Sequence, residues 1–277
     1  MYRGLSAFRA EDAAVFFGRD QAVRQVHARM AGYLERPGLL VVSGASGAGK
    51  SSLLSAAVIP QLAEEGLPGD DDADAASWPR MVFTPGQDPL GELAAQVASY
   101  TQADAGLVRR ALADSPRDFA LTARQAVLAR RDGRSGPEGR LIVIVDQFEQ
   151  VFTAGADDAG QRALIAALHA AATEPRGPRG TPAALVMLAV RADFETRCAA
   201  HPELTAAIQD RYLLAGMSRP ELRRTITGPA PLAGATVDPA LTEVLLTEIS
   251  ARQGAATAYP AAGQGVLPLL SHSLDQA

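Results

Sequence analysis

Runs of aliphatic residues alternate along this chain with longer segments in which apolar residues recur three or four positions apart. Four apolar runs predict strands, because strands covered on both faces are apolar throughout. They cover residues 39–43, 80–84, 141–145 and 183–190, and residues 211–214 predict a short last strand. The segments between them predict helices at residues 51–58, 89–100, 116–131 and 158–173, the first ending near Pro60. Since alternating strands and helices favour parallel pairing, the pattern predicts an α/β core over residues 37–216, a parallel sheet flanked by helices.

The pattern changes at both ends of this core. Residues 1–36 predict an N-terminal segment followed by a helix with apolar residues at helical spacing. Residues 217–277 predict a small helical subdomain of three helices, at residues 218–228, 238–252 and 265–276. The last predicted helix shows no stop signal before Ala277. We therefore expect the subdomain to be truncated and the sequence to be part of a longer protein.

The segment after the first predicted strand is rich in glycine and contains the only lysine of the chain. Its residues are Gly44, Ala45, Ser46, Gly47, Ala48, Gly49, Lys50, Ser51 and Ser52. The first eight fit the pattern G-x-x-x-x-G-K-[ST], in which glycines let backbone N–H groups converge on phosphate oxygens. A helix directly after the loop adds the partial positive charge of its N-terminus, and the Ser51 hydroxyl can hold Mg²⁺. The sequence therefore predicts a nucleotide-binding loop (P-loop, Walker A), with a glycine-rich turn that binds no ligand as the alternative.

The lysine narrows the chemistry of this loop. Of the 26 Lys and Arg residues only Lys50 is a lysine. A compact ammonium fits between phosphate oxygens where a planar guanidinium is too wide and too rigid. The usual guanine-recognition motif, Asn-Lys-x-Asp, needs a second lysine, which the chain does not have. We therefore expect ATP or ADP, with Mg²⁺, rather than a guanine nucleotide.

A carboxylate follows the third predicted strand. Asp146 stands directly after residues 141–145, where a P-loop fold needs a carboxylate to orient Mg²⁺ across the β- and γ-phosphates. The alternative is a helix-capping aspartate. Hydrolysis also needs a group that orients or deprotonates the attacking water, and Gln147 and Glu149 are the candidates. Glu149 reaches the site only if the chain turns sharply after the strand, and otherwise serves a structural hydrogen bond.

Two arginines are candidates for contacts with the nucleotide. Arg191 follows the fourth predicted strand, from where it can reach a γ-phosphate and report its presence. A surface pair with Asp193 or Glu195 is the alternative. Arg19 can contact phosphate or sugar while the Phe-Phe backbone of residues 16–17 flanks a base, with hydrophobic packing as the alternative.

Composition limits the class of protein. A hydrophobic fraction of 47% and a charged fraction of 21% are typical of soluble globular proteins. The net charge of −5 argues against a general nucleic-acid or anionic-membrane surface, and leaves a local basic patch open. The sequence has no membrane segment of 18 or more apolar residues and no signal-peptide pattern. We therefore expect a cytoplasmic protein.

Two further features have an ordinary structural interpretation. Cys198 is the single cysteine, so it forms no internal disulfide, and a buried small residue explains it better than a nucleophile. The acidic run at residues 70–74 fits a solvated loop better than a metal site.

Four motifs resemble those of one protein family, in the same order along the chain. They are Phe17-Gly18-Arg19, Val145-Asp146-Gln147-Phe148-Glu149, Arg191-Ala192-Asp193-Phe194 and Gly265-Val266-Leu267-Pro268-Leu269-Leu270. Together with the glycine loop they resemble the STAND NTPases, signal transduction ATPases with numerous domains, over nearly the whole chain. The resemblance is to the bacterial "novel STAND" branch, whose members are often fused to WD-repeat or other sensor arrays.

The resemblance implies a P-loop NTPase core followed by a helical lid, and it assigns a role to individual residues. By this resemblance Phe17, Gly18 and Arg19 contact the base or ribose, Lys50 and Ser51 bind phosphate and Mg²⁺, Asp146 is the Walker B aspartate, Arg191 is the sensor arginine, and Pro268 is the lid proline near adenine.

The same resemblance implies an ATP-gated switch of a signalling or defence protein, which self-associates on activation. Sensor and effector domains are then expected elsewhere in a longer chain. Gln147 stands where many relatives carry a second acidic residue, which predicts slow hydrolysis. The alternative is a module that holds nucleotide permanently as structure and serves partner contacts without meaningful turnover. A small-molecule kinase is less well supported, since no second-substrate site is evident.

Overall fold

The computed structural model describes residues 7–69, 75–129, 139–155, 157–176 and 180–258. In these ranges the chain forms five strands: β1 (Leu39–Gly44), β2 (Arg80–Phe83), β3 (Leu141–Val145), β4 (Ala184–Arg191) and β5 (Tyr212–Leu213). The five strands predicted from the sequence are confirmed, each bound within one residue. The acidic run at residues 70–74 and the helix predicted at 265–276, with Pro268, lie outside the described residues.

The strands form one parallel sheet in the order β2-β3-β4-β1-β5. Arg80 of β2 pairs with Ile142 of β3, and Leu141 of β3 pairs with Ala184 of β4. β3 lies between β2 and β4 and is buried along its whole length. A strand covered on both faces is apolar throughout, which explains the unbroken aliphatic run that predicted it.

Helices precede, separate and follow the strands. The described helices are α1 (Asp20–Glu35), α2 (Lys50–Leu53), α3 (Ile59–Glu65), α4 (Pro89–Thr101), α5 (Ala105–Asp114), α6 (Phe119–Ala129), α7 (Asp158–Thr173), α8 (Glu195–Ala199), α9 (Pro202–Gln209), α10 (Arg219–Thr227) and α11 (Pro239–Ala258). The sequence pattern did not predict α5, α8 and α9. None of the described helices is long and apolar enough to cross a membrane.

The unpredicted helices are short, from five residues in α8 to ten in α5. α5 buries Leu112 and leaves Leu107 60% exposed, and a helix of this length gives few repeats of an apolar pattern. Its start is fixed by Asp104, whose side chain accepts a hydrogen bond from Leu107 N at 2.8 Å. For α5 this capping aspartate is the signal that marks the helix in the sequence.

The helix after the glycine loop does not end near Pro60, contrary to prediction, but continues as α3 to Glu65. Between α2 and α3, residues Leu54–Val58 form a π-helical turn in which Ile59 N donates to Leu54 O, five residues back. In a regular α-helix a proline removes one N–H and its ring clashes with the carbonyl four residues earlier. The wider turn before Pro60 accommodates the ring, so the helix goes on past it.

The chain divides into two compact units, and the larger comprises residues 27–43 and 62–212. One continuous cluster of buried apolar side chains lies on one face of its sheet. Alternate residues of β3, namely Leu141, Val143 and Val145, belong to this cluster, because residues two apart share one face of a sheet. Helices α4, α6 and α7 pack in the same cluster and cover that face.

The smaller unit comprises residues 1–26, 44–61 and 213–277, three stretches that lie far apart in the sequence. In it α10 and α11 pack together through Met217, Leu222, Ile226, Leu246 and Ile249. A capping box begins α10, in which Ser218 N donates to Glu221 Oε2 at 2.7 Å. The sequence boundaries predicted after residues 36 and 216 stay a prediction.

Candidate nucleotide site

The glycine loop joins β1 to α2, and its own lysine folds back over its start. Lys50 Nζ donates to Gly44 O at 2.9 Å and to Ala45 O at 3.1 Å, and the residue is only 9% exposed. Gly47 and Gly49 have φ angles of 73° and 89°, a left-handed conformation that favours glycine. Backbone amides and a buried ammonium attract anions, so this geometry suits the phosphate binding that the sequence predicts.

The first glycine of the loop is required by a close approach of two backbone segments. A Cβ atom at Gly44 would lie 2.9 Å from Leu214 O and 3.4 Å from Leu214 Cβ. Either the loop or the segment at Leu214 would have to move to admit it. Gly44 therefore fixes how closely the loop packs against the residues just after β5.

Arg19 lies at the start of α1, where it is 4% exposed. Its Nη2 donates to Ala48 O at 2.7 Å and its Nη1 to Ala215 O at 3.1 Å. The side chain thus joins the glycine loop to the segment that leads into α10. Backbone carbonyls carry no side-chain pattern, so the sequence did not signal these partners. The contact of Arg19 with base, ribose or phosphate stays a prediction.

The two residues before Arg19 pack against α10. Gly18 has a φ of 87°, and a Cβ there would lie 2.3 Å from Thr225 Oγ1 and 2.5 Å from Glu221 O. Thr225 Oγ1 donates to Phe17 O at 3.0 Å. A Cβ at Gly228 would in turn lie 2.6 Å from Phe17 Cγ. This motif of three residues therefore connects α10 with the glycine loop inside the smaller unit.

In the larger unit the chain turns sharply after β3, which is the turn that a role for Glu149 requires. Gln147 has φ 52° and ψ 45°, rare for a residue other than glycine, and a 3₁₀ turn over Phe148–Phe152 follows. Asp146 Oδ1 accepts a hydrogen bond from Gln147 N at 2.9 Å. Glu149 Oε2 accepts one from Arg191 N at 3.2 Å, at the end of β4. Glu149 thus makes a structural hydrogen bond, and its part in hydrolysis stays a prediction.

Gln147, the other candidate for orienting water, is engaged in a side-chain chain of hydrogen bonds. Its Oε1 accepts from Gln150 Nε2 at 2.9 Å. The Oε1 atom of Gln150 accepts in turn from Gly86 N at 3.2 Å. These bonds link the turn after β3 to the segment after β2 and hold the Gln147 side chain in one orientation.

Arg191 forms the surface pair that the sequence left open. Its Nε and Nη2 donate to the two carboxylate oxygens of Asp193 at 3.1 and 2.7 Å, and the arginine side chain is 34% exposed. The guanidinium also lies 5.4 Å from the centre of the Phe194 ring. To bind a γ-phosphate, Arg191 would exchange one anionic partner for another, so its sensor role stays a prediction.

A polar cluster around a buried serine at the end of β1 was missed by the sequence interpretation. Ser43, directly before the glycine loop, is 0% exposed, and its Oγ donates to Glu195 Oε1. Arg211 Nε donates to the same oxygen at 2.8 Å. Since a buried hydroxyl needs a hydrogen-bond partner, a serine at the end of an aliphatic run is the signal that points to such a cluster.

Cys198 is a buried structural residue, as expected from the sequence. It is 1% exposed and lies in the apolar cluster of the larger unit. Burial, helped by the negative charges of Glu149 and Glu195, raises the pKa of the Cys198 thiol to about 12. The group therefore stays protonated at neutral pH and is a poor nucleophile.

The oxygen donors expected for Mg²⁺ are the Ser51 hydroxyl and the Asp146 carboxylate. Within the described ranges no three or more His, Cys, Asp or Glu side chains come together in a way that suits a metal ion. Mg²⁺ held together with nucleotide phosphates takes one or two protein carboxylates and keeps several waters. A hydroxyl and one carboxylate therefore fit Mg²⁺ that arrives with a nucleotide.

Two solved structures of Aeropyrum pernix proteins share this fold. The ORC1 protein in complex with DNA is 15% identical with a TM-score of 0.51, over 95% of this chain and 61% of that one. The ORC2 protein in its ADP form is 13% identical with a TM-score of 0.50, over 96% of this chain and 62% of that one. The chain thus spans about three fifths of the length of these proteins, and at such identities the likeness concerns the fold alone.

No curated protein matches the sequence. The family described as Novel STAND NTPase 1, in contrast, matches residues 2–277, and the chain therefore belongs to this family of NTPases.

Proposed function

We propose that this chain is the ATP- and ADP-binding regulatory module of a longer signalling or defence protein, in which the bound nucleotide sets a switch. The observation that carries this proposal is the geometry of the glycine loop, with Lys50 folded over its start and Gly47 and Gly49 in the left-handed conformation. Membership of an NTPase family supports triphosphate chemistry. The ADP form of the ORC2 protein offers a relative in fold that holds an adenine nucleotide.

In this proposal the glycine loop binds the phosphates, and Mg²⁺ is held by Ser51 and Asp146. The ion supplies charge neutralisation at the phosphate oxygens. Both residues come after strands in the sequence, Ser51 at the end of the glycine loop that follows β1 and Asp146 directly after β3. The single lysine supports adenine over guanine, because the usual guanine-recognition motif, Asn-Lys-x-Asp, needs a second lysine.

We infer that hydrolysis is slow and that Glu149 activates the water. The left-handed Gln147 turns the chain so that Glu149 follows the strand end closely. The carboxylate is already bound to Arg191 N, so one of its oxygens is occupied by structure. A catalytic base that also holds the backbone is less free to move with the substrate. This restriction fits slow hydrolysis, as expected of a nucleotide switch, better than rapid turnover.

The proposed switch uses the difference between ATP and ADP to favour one arrangement of core and helical lid over another. Shifting such a balance from mostly closed to mostly open requires about 5 kcal/mol of differential binding. Contacts of Arg191 and Mg²⁺ with the γ-phosphate would supply part of this, and a partner or sensor domain the rest. The open form would self-associate, and hydrolysis would reset it.

The second candidate is a module that holds nucleotide permanently. It is favoured by the burial of Lys50 and Arg19, both of which lie among backbone carbonyls of the smaller unit. In that case the nucleotide would stabilise the fold, and the state of assembly would not depend on which nucleotide is bound.

Thermal melting with each nucleotide tests the proposal. With Mg²⁺ present, ATP and ADP are expected to raise the melting temperature of the chain, and GTP much less. Lys50→Ala should remove the nucleotide-induced rise in melting temperature. Lys50→Arg should remove nearly all of it, because a guanidinium does not replace the ammonium in a phosphate loop. An equal shift with GTP would contradict the adenine assignment.

Light scattering distinguishes the switch from the permanently loaded module. The switch predicts a larger assembly with a non-hydrolysable ATP analogue than with ADP, and loss of this difference in Lys50→Ala. If the protein keeps ADP through long dialysis, and Lys50→Ala lowers only the melting temperature, the permanently loaded module is the correct function.

A further inference from the structure

The carbonyl of Ala48 is held from outside the glycine loop. Arg19 Nη2 donates to it at 2.7 Å, and the Arg19 residue is 4% exposed. A trans peptide is planar, with its C=O and N–H pointing in opposite directions. Fixing Ala48 O towards Arg19 therefore aims the next amide, Gly49 N–H, away from Arg19. The direction of one loop amide thus depends on a side chain from another segment.

The loop needs such a support because of its own glycines. Gly47 and Gly49, on either side of Ala48, both have positive φ. Glycine populates left- and right-handed conformations about equally, so peptides between glycines rotate at little energetic expense. An amide that must point at a phosphate loses affinity if it spends its time in other orientations.

The base of the Arg19 side chain is itself rigid. Arg19 O accepts a hydrogen bond from Val23 N at 3.0 Å, so its backbone belongs to the first turn of α1. Its second guanidinium nitrogen, Nη1, donates to Ala215 O at 3.1 Å. Held at both ends, the side chain has little freedom, and it bridges the glycine loop and the segment before α10.

We propose that Arg19 is a positioning residue for the phosphate loop: by bridging Ala48 O and Ala215 O it holds the loop amides in their phosphate-binding orientation and couples them to the segment before α10. This inference rests on the proposed nucleotide binding. It differs from a direct contact of Arg19 with base or ribose, because it acts on every ligand that carries the phosphates.

The distinction is measured with two ligands, MgATP and magnesium tripolyphosphate, each titrated into the purified chain by calorimetry. For Arg19→Ala the proposal expects both dissociation constants to rise by the same factor, about tenfold or more. Arg19→Lys keeps the charge but gathers its donors on one nitrogen, so it should show a smaller rise that is again equal for both ligands. Arg24→Ala removes an exposed arginine of the same helix and should change neither constant.

Each other result overturns the inference. A loss for ATP with unchanged tripolyphosphate binding would mean that Arg19 contacts base or ribose directly. Unchanged affinity for both ligands would mean that the bridge only stabilises the fold. Tripolyphosphate that fails to bind the wild-type chain while ATP binds would mean that the loop alone does not hold phosphate.

Two further controls keep the test decisive. If Arg19→Ala does not fold, Arg19→Lys supplies the same comparison. If wild-type chain binds neither ligand, the proposed function itself fails, which is a different outcome from any assigned to Arg19. The amide resonance of Gly49 in the nucleotide-free wild type and variant gives an independent readout, and it should shift or broaden when the bridge is removed.

Discussion

The two compact units differ in the contacts that stabilise the interior of each. The larger unit packs one face of its sheet against α4, α6 and α7 in a continuous apolar cluster. The smaller unit has an apolar contact between α10 and α11. It also contains close backbone approaches at Gly18, Gly44 and Gly228 and the carbonyl contacts of Arg19.

The larger unit thus gains its stability from the total amount of buried apolar area, whereas the smaller unit depends on the exact placement of individual atoms. The stabilisation from apolar burial is not directional and scales with the buried area. The stability of the larger unit therefore depends on how completely its side chains fill the interior. Close backbone approaches and single hydrogen bonds depend on individual atoms, so the smaller unit should respond to one methyl group. The glycine loop lies in the unit of the second kind, where exact placement of amides matters for a ligand.

The largest expected effect is a cavity in the larger unit. Leu164 and Leu222 are both 0% exposed, one in each unit. We expect Leu164→Ala to reduce the free energy of unfolding by about 4 kcal/mol, because a large rigid cluster cannot collapse around the hole, and Leu222→Ala by about 2 kcal/mol. Urea unfolding measures both. A larger loss for Leu222→Ala would break the comparison between the units.

A single methyl group should damage the smaller unit almost as much. Gly18→Ala places a Cβ against Thr225 Oγ1 and Glu221 O at a φ of 87°, and we expect a loss of about 3 kcal/mol from strain and overpacking. Gly234→Ala is the matched control, with a φ of 68° but nothing within 4 Å of the added Cβ. It should lose about 1 kcal/mol. Equal losses would show that φ, not the approach to α10, explains the glycine.

A smaller effect, on rate rather than folding, is expected at the turn after β3. Glu149→Gln keeps an oxygen that can accept from Arg191 N but removes the charge of the candidate base. We expect ATP hydrolysis to slow at least tenfold, about 1.4 kcal/mol in barrier, with unchanged ATP affinity. An unchanged rate would leave Glu149 with its structural hydrogen bond alone.

The smallest expected effect is at the surface of the larger unit. The hydrogen bond from Arg109, with a further one from Gly91 N, holds the pKa of Asp88 below its usual value. Because the folded state favours the charged form, this contribution is present above about pH 4 and is lost as the pH falls through the lowered pKa. The carboxylate is 52% exposed, so we expect less than about 1 kcal/mol.

Two variants at this position separate charge from helix capping. Asp88→Asn keeps an acceptor for Gly91 N and should lose only the part that depends on pH between about 5 and 3. Asp88→Ala should also lose the cap of α4. Unfolding measured at both pH values checks this, and the absence of any pH difference between wild type and Asp88→Asn would be inconsistent with it.

The sequence predicted the elements that depend on hydrophobic pattern and missed those that depend on local bonding. Strands β1, β3 and β4 were predicted within a residue because they are long runs of buried apolar residues. Helices α5, α8 and α9 were not predicted because they are short, from five to ten residues. The continuation of the helix beyond Pro60 was not predicted, because a π-helical turn interrupts the regular spacing of apolar residues that marks a helix.

The candidate site divides in the same way. The loop from Gly44 to Ser51 was predicted as a phosphate site from residue types alone, since the pattern encodes the chemistry. Asp146 and Arg191 were predicted as site residues from their positions after strands, and these assignments stay predictions. The pair of Arg191 with Asp193 was foreseen only as an alternative. The bond of Ser43 with Glu195 was not foreseen, because it joins residues far apart in the sequence.

The sequence by itself determined the α/β fold class, the strand positions and the family, and it predicted the glycine loop as the phosphate site. These follow from local composition and from short motifs in which neighbouring residues supply the chemistry. Only the tertiary structure decided that residues 16–19, the glycine loop and α10 belong to one unit, and that Arg19 bridges two backbone carbonyls. The physical reason is that backbone carbonyls and close approaches at glycine are the same in every sequence, and only folding determines which of them meet.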